Sequence, residues 1–117
     1  MELRNEYKPL PDFLTIKKSD IDGIGLFTTK SINKGTQLGI SHLYNEFFPD
    51  NYLRLPLGGF INHHDMPNCI AKSYVEPHKH IKLFTIKDII AGEELTVKYI
   101  FNKLENPRWE FNWEISQ

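Results

Sequence analysis

Cysteine is nearly missing from this chain: Cys69 is the only one in 117 residues. An intramolecular disulfide is excluded, and so are the paired cysteines of a structural zinc site. A reducing compartment fits that count. Long apolar runs are missing too. No stretch approaches the roughly 20 residues that span a bilayer, and Met1-Glu2-Leu3-Arg4-Asn5-Glu6 lacks the apolar core of a secretory leader. The expectation is a soluble intracellular protein with no membrane partner. Neither charge dominates, because 14 Lys and Arg stand against 15 Asp and Glu for a net charge of −1. A basic surface for nucleic-acid phosphates is not encoded, so direct nucleic-acid binding is not expected. Helical periodicity, internal repeats and low-complexity segments are scarce or missing.

What is present is a set of short strands punctuated by glycine and proline. The length points to a single domain over 1–117, with a polar lead-in (1–12), a core (13–101) and an aromatic tail (102–117). Phe13–Lys18, Gln37–Leu43, Ile70–Val75, His80–Ile86 and Glu94–Phe101 read as strands. Glu76-Pro77-His78-Lys79 reads as a hairpin turn, and Tyr44–Leu55 as an irregular segment with room for one helical turn. His42 is expected to face outward, and His78 and His80 to be solvated at the hairpin. In the tail, Trp109, Phe111, Trp113 and Ile115 alternate with Arg108, Glu110, Asn112 and Glu114. That period of two predicts an extended segment whose apolar face covers a core, a ligand or a second subunit, which is compatible with a homodimer.

Three stretches carry the candidate chemistry. Gly23-Ile24-Gly25-Leu26-Phe27 joins a tight loop to an apolar strand. It is either a plain turn or a place where backbone approaches a ligand closely. It is not a dinucleotide fingerprint, because the third glycine is absent. Pro56-Leu57-Gly58-Gly59-Phe60-Ile61-Asn62-His63-His64-Asp65-Met66-Pro67-Asn68-Cys69 places polar groups directly after an apolar pair. Buried polar groups need partners, and each orphan costs about 1–3 kcal/mol. Gly92-Glu93-Glu94-Leu95-Thr96-Val97-Lys98-Tyr99 is the third. His63, His64, Asp65, Cys69, His78 and His80 do not match the usual ligand spacing of a zinc site, so no metal is expected. Cys69 reads as a small buried apolar residue, not as a nucleophile.

In order and wording these stretches resemble the Gly-x-Gly, Asn-His-x-x-x-Pro-Asn and Gly-Glu-Glu-Leu-x-x-x-Tyr motifs of the SET-domain family of protein lysine methyltransferases. The resemblance runs from about Phe13 to Phe101, and the compact length is similar to minimal viral and bacterial members. It implies a mainly β fold of small sheets (the β-clip), with little helix and a knot-like threading of the C-terminal segment. It also implies methyl transfer from S-adenosylmethionine to a lysine amine of a protein or peptide substrate. Gly23, Ile24, Gly25, Asn62 and His63 would then bind the cofactor, and Trp109 would cover it from the tail. Tyr99 would be the catalytic tyrosine, and Phe60, Ala71 and Val97 would line the lysine channel. The cytoplasm is the expected location, or a host nucleus if the chain is viral.

The chain departs from the family pattern at several positions. His64 and Asp65 stand where Ser and Cys are common, and Gly59 where many members have Arg. Val97 and Ala71 are small where some members carry aromatics, which would leave room for di- or trimethylation. The alternative to an enzyme is a catalytically silent SET-like binding module.

Overall fold

The computed structural model describes residues 9–48, 51–101, 109–111 and 113–116; for 99–101, 109–111 and 113–116 only the backbone is described. Among the described residues eleven strands and one helical turn follow in order: β1 (Leu14–Lys18), β2 (Ile24–Thr28), β3 (Gln37–Tyr44), β4 (Tyr52–Arg54), α1 (Pro56–Gly59), β5 (Asn62–His63), β6 (Cys69–Tyr74), β7 (His80–Thr85), β8 (Glu94–Val97), β9 (Tyr99–Phe101), β10 (Trp109–Phe111) and β11 (Trp113–Ser116). They form three sheets with strand orders β1-β2-β8-β5, β10-β9 and β11-β6-β7-β3-β4. The mainly β architecture of small sheets is the one the motifs implied.

Alternation explains the larger sheet. Cys69, Ala71 and Ser73 of β6 are buried while Ile70, Lys72 and Tyr74 are half-buried. On β7, Ile81, Leu83 and Thr85 point inward and Lys82 and Phe84 outward. The outer lysines lie over rings, with Lys72 Nζ 4.9 Å from the Phe84 centroid and Lys82 Nζ 5.1 Å from that of Tyr74. Their alkyl stems thereby cover aromatic surface while the charged ends stay wet. Leu26 and Leu95 of the smaller sheet meet Leu83 and Ile81 in one apolar core.

Several expectations change. Among the described residues the one helical turn lies at Pro56–Gly59, after the segment expected to hold it, because Pro56 supplies a preset φ at the start of the helix. Part of the supposed irregular segment is β4, which pairs with β3 (His42↔Arg54, Tyr44↔Tyr52) and is too short to show a period. The strand expected over Glu94–Phe101 divides at Lys98 into β8 and β9, which belong to different sheets. His80 is buried, not solvated. Its ring stacks on Tyr74 at 5.3 Å and 11°, and its Nδ1 bonds the His78 carbonyl.

The described parts of the tail, 109–111 and 113–116, are extended, as the alternation predicts. Trp109–Phe111 pairs antiparallel with β9, and Trp113–Ser116 pairs parallel with β6. What its aromatic face covers concerns side chains outside the described residues. The knot-like threading expected of the C-terminal segment lies outside the described residues. Among the described residues no helix is long and apolar enough to cross a membrane.

Candidate functional site

The site is built where β5 lies beside β8. The two strands pair in parallel, with Asn62 opposite Thr96 and His63 opposite Val97. The His64 amide extends the ladder by donating to the Val97 carbonyl at 3.0 Å. Residues 62–64 and 94–97 therefore share one edge, although about thirty positions separate them in sequence. Ile61 and Leu57 are buried and anchor the approach to β5 in the core.

Asn68 clamps this junction. Its Oδ1 accepts from the Thr96 amide at 2.8 Å, and its Nδ2 donates to the Glu94 carbonyl at 2.9 Å. Its own amide donates to Thr96 Oγ1 at 3.3 Å. The Asn at the end of the Pro-Asn turn thus binds the two motifs through a buried amide. Cys69, next to it, is 1% exposed. Burial pushes its thiol pKa up to about 12, partly offset by a hydrogen bond with the Thr96 backbone. Such a thiol stays protonated and unreactive, which agrees with its reading as a small core residue.

The loop before β2 completes the site. The Ser19 hydroxyl donates to the Glu94 carboxylate, 2.8 Å from Oε1 and 2.9 Å from Oε2. The same oxygen accepts from the Ile21 amide at 2.8 Å, and the Ser19 amide donates to the Gly23 carbonyl. Asn62 Nδ2 lies 2.9 Å from Glu94 Oε2, 3.1 Å from the Asp22 carbonyl and 3.2 Å from Ser19 Oγ. One polar knot therefore joins the glycine loop, the Asn-His pair and the Glu-Glu-Leu strand.

The two loop glycines serve different ends. Gly23 has φ +47, a region that favours glycine, and a Cβ there would meet nothing within 4 Å. A Cβ on Gly25 would stand 2.2 Å from Glu94 Oε2. The space above Gly25 is thus taken by the Glu94 carboxylate. Ile24, between them, is exposed.

His63 Nε2 lies 3.1 Å from Asp65 Oδ1, and His64 Nδ1 accepts from the Met66 amide at 2.9 Å. The two residues that depart from the family pattern thus shape the turn after the Asn-His pair. Phe60 ends α1 and packs on the core. Ala71 and Val97 are fully buried core residues on β6 and β8. Tyr99 begins β9 one residue after β8, with its backbone opposite Phe111, and the backbone of Trp109 is opposite Phe101. Among the described residues no three His, Cys, Asp or Glu side chains gather as a metal would need.

Nearby, Tyr52 on β4 sits edge-on to His42 and Tyr44 at 6.1 and 5.8 Å. Burial raises its phenol pKa; a hydrogen bond with Ser73 works against that, and Tyr44 adds to it.

The sequence reading did not single out Ser19, Glu94 or Asn68 as site residues. Glu94 and Asn68 lie inside recognisable motifs, but which glutamate turns inward is decided by pairing. Glu93 faces its own turn, accepting from the Ile90 amide at 2.8 Å. Ser19 has no sequence signal at all.

The SET domain profile matches residues 42–100, half of the chain. The histone-lysine N-methyltransferase trithorax of Drosophila virilis is 30% identical over 127 aligned residues, covering 85% of this chain and 3% of that protein. The H3 lysine-4 specific histone-lysine N-methyltransferase of Chaetomium globosum is 49% identical over 45 residues, 38% of this chain and 4% of that protein. The chain thus spans only a few per cent of the length of these curated relatives. A crystal structure of a candidate histone methyltransferase from Plasmodium falciparum superposes with a TM-score of 0.65 at 22% identity, covering 83% of this chain and 100% of that one. The profile spans the Asn-His and Glu-Glu-Leu motifs, the solved structure shares the fold, and the chain belongs to the SET-domain lysine methyltransferase family.

Proposed function

We propose that this chain is a protein-lysine N-methyltransferase that uses S-adenosylmethionine and acts on a lysine of a histone-like protein substrate. The observation that carries the reading is the parallel pairing of Asn62-His63 with Thr96-Val97, which brings the Asn-His pair beside the strand leading to Tyr99. The histone specificity named for the relatives supports the substrate class.

The residues present fit the cofactor's amino-acid end. Asn62 is half-buried, its NH2 group is committed to protein acceptors, and its carbonyl oxygen is the end left to meet an ammonium. The open space at Gly23 admits close backbone approach. In this reading Gly23, Ile24, Gly25, Asn62 and His63 hold the cofactor, and Trp109 covers it. Bound S-adenosylmethionine supplies an electrophilic methyl group for in-line displacement. The protein's share of such a reaction is positioning rather than covalent help. Tyr99 orients the amine, because a phenol with a pKa near 10 is a poor base at neutral pH. Phe60, Ala71 and Val97 wall the lysine channel. The small size of the last two favours more than one methyl transfer.

The test is transfer from radiolabelled cofactor to histone peptides, with cofactor binding measured in parallel. Tyr99→Phe should remove most transfer and leave binding intact. Full activity in that variant would overturn the role of Tyr99. Cofactor binding by the wild type without transfer to any lysine substrate would instead support a silent binding module, which the departures at Gly59, His64 and Asp65 also permit.

A further inference from the structure

We infer that Glu94 is a positioning residue, whose carboxylate sets the orientation of the Asn62 amide and makes the site selective for a ligand bearing an ammonium group. The inference deepens the proposed function and rests on it.

The two ends of an asparagine amide are told apart by their neighbours. Three oxygens surround one end of Asn62: Glu94 Oε2, the Asp22 carbonyl and Ser19 Oγ, at 2.9, 3.1 and 3.2 Å. A carbonyl oxygen can only accept. The Ser19 hydroxyl gives its proton to Glu94, at 2.8 Å from Oε1 and 2.9 Å from Oε2, so it too offers lone pairs to Asn62. A flipped amide would set its own oxygen against all three. The NH2 end is therefore fixed toward Glu94, and Oδ1 is the end that remains. An acceptor presented in this way favours a donor, and an ammonium over a neutral or anionic group.

The carboxylate is itself held in place. Ser19 grips both of its oxygens, and its backbone is tied by Asn68 Nδ2 to the Glu94 carbonyl at 2.9 Å. Gly25 completes the fit, because any Cβ there would stand 2.2 Å from Oε2 and 2.8 Å from Cδ of Glu94. Glycine at this position is explained by room for the carboxylate. Without Glu94 the Asn62 amide loses the strongest of its three acceptors and is free to turn over.

The experiment compares two ligands by calorimetry on the full chain: S-adenosylhomocysteine, which carries the ammonium, and methylthioadenosine, which lacks the amino-acid end. Glu94→Ala should weaken the first by about 10- to 100-fold, as expected for loss of a charge-assisted hydrogen bond, and leave the second within about twofold. Glu94→Gln keeps an acceptor for Asn62 and should recover much of the loss. Gly25→Ala should mimic Glu94→Ala by expelling the carboxylate, and the double variant should be no worse than Glu94→Ala alone. A uniform loss for both ligands in folded variants, or no loss for either, would overturn the inference. A wild type that binds neither ligand would instead refute the proposed function. Circular dichroism checks folding, and Ser19→Ala supplies a milder variant should Glu94→Ala not fold; it should lower S-adenosylhomocysteine affinity selectively and less steeply.

Discussion

Replacing Asn68 with alanine should unfasten the junction on which the site is built. The side chain satisfies two backbone groups of β8: the Thr96 amide through Oδ1 and the Glu94 carbonyl through Nδ2. Asn68 is only 8% exposed and Thr96 6%, so water does not readily take its place. Each orphaned group costs about 1–3 kcal/mol, and two together give about 2–5 kcal/mol once some relaxation is allowed. Domains of this size are stable by only about 5–15 kcal/mol, so this is a large share of the total. With a urea m-value of about 2 kcal/mol/M, the unfolding midpoint should fall by about 1–2.5 M with an unchanged slope. Asn68→Asp refines the test. The introduced carboxyl keeps an acceptor for Thr96 but turns its other oxygen toward the Glu94 carbonyl. Its ionised form is disfavoured there, so its folded pKa lies above the unfolded value of about 3.9. The variant should therefore be most stable, relative to wild type, below about pH 4 and lose stability as the pH rises through the folded pKa. An alanine variant within about 0.5 kcal/mol of wild type, a size typical of surface changes, would refute the reasoning. So would an aspartate variant whose deficit does not change with pH.

Three further predictions concern the core, the helical turn and the loop before β2. Cys69 should resist thiol reagents at pH 8 in the native protein and react fully in urea. Because its folded pKa is raised to about 12 from a usual value of 9.0, its contribution to stability is complete below about pH 9 and is lost as the pH climbs toward 12; rapid native labelling would contradict the burial. Gly58→Ala should destabilise by about 1–3 kcal/mol, as overpacking does, because its Cβ would stand 2.7 Å from the Ser41 carbonyl oxygen. Gly23→Ala meets no atom within 4 Å and should cost only the backbone penalty of its φ of +47, about 1–2 kcal/mol. Thermal melts of the two variants compare the mechanisms, and a neutral Gly58→Ala would mean that α1 does not press on β3 as described.

Much of the fold was legible because its longer strands carry their own signal. The stretches that form β6 and β7 carry strand-favouring Ile, Tyr, Phe and Thr, and the turn between them is marked by Glu76-Pro77. The tail's period of two predicted extended chain where β10 and β11 occur. Elements of three or four residues, such as β4 and α1, are too short for periodicity to register. The division at Lys98 was not legible either, because residues 94–101 read as one continuous strand and β8 and β9 differ in the sheets they join.

For the site, the sequence by itself determined which residue types are present and the three motifs that carry them. It also determined family, since the motifs and their order are local facts. Which atoms meet was decided by tertiary structure alone. Asn62 reaches Ser19 across 43 positions and Glu94 across 32. Gly25 is small because a carboxylate 69 positions away along the chain, Glu94 less Gly25, fills the space a side chain would need. Local patterning reports how a segment presents its faces. It carries no record of the partner that closes on them, because that partner arrives only when the sheets assemble.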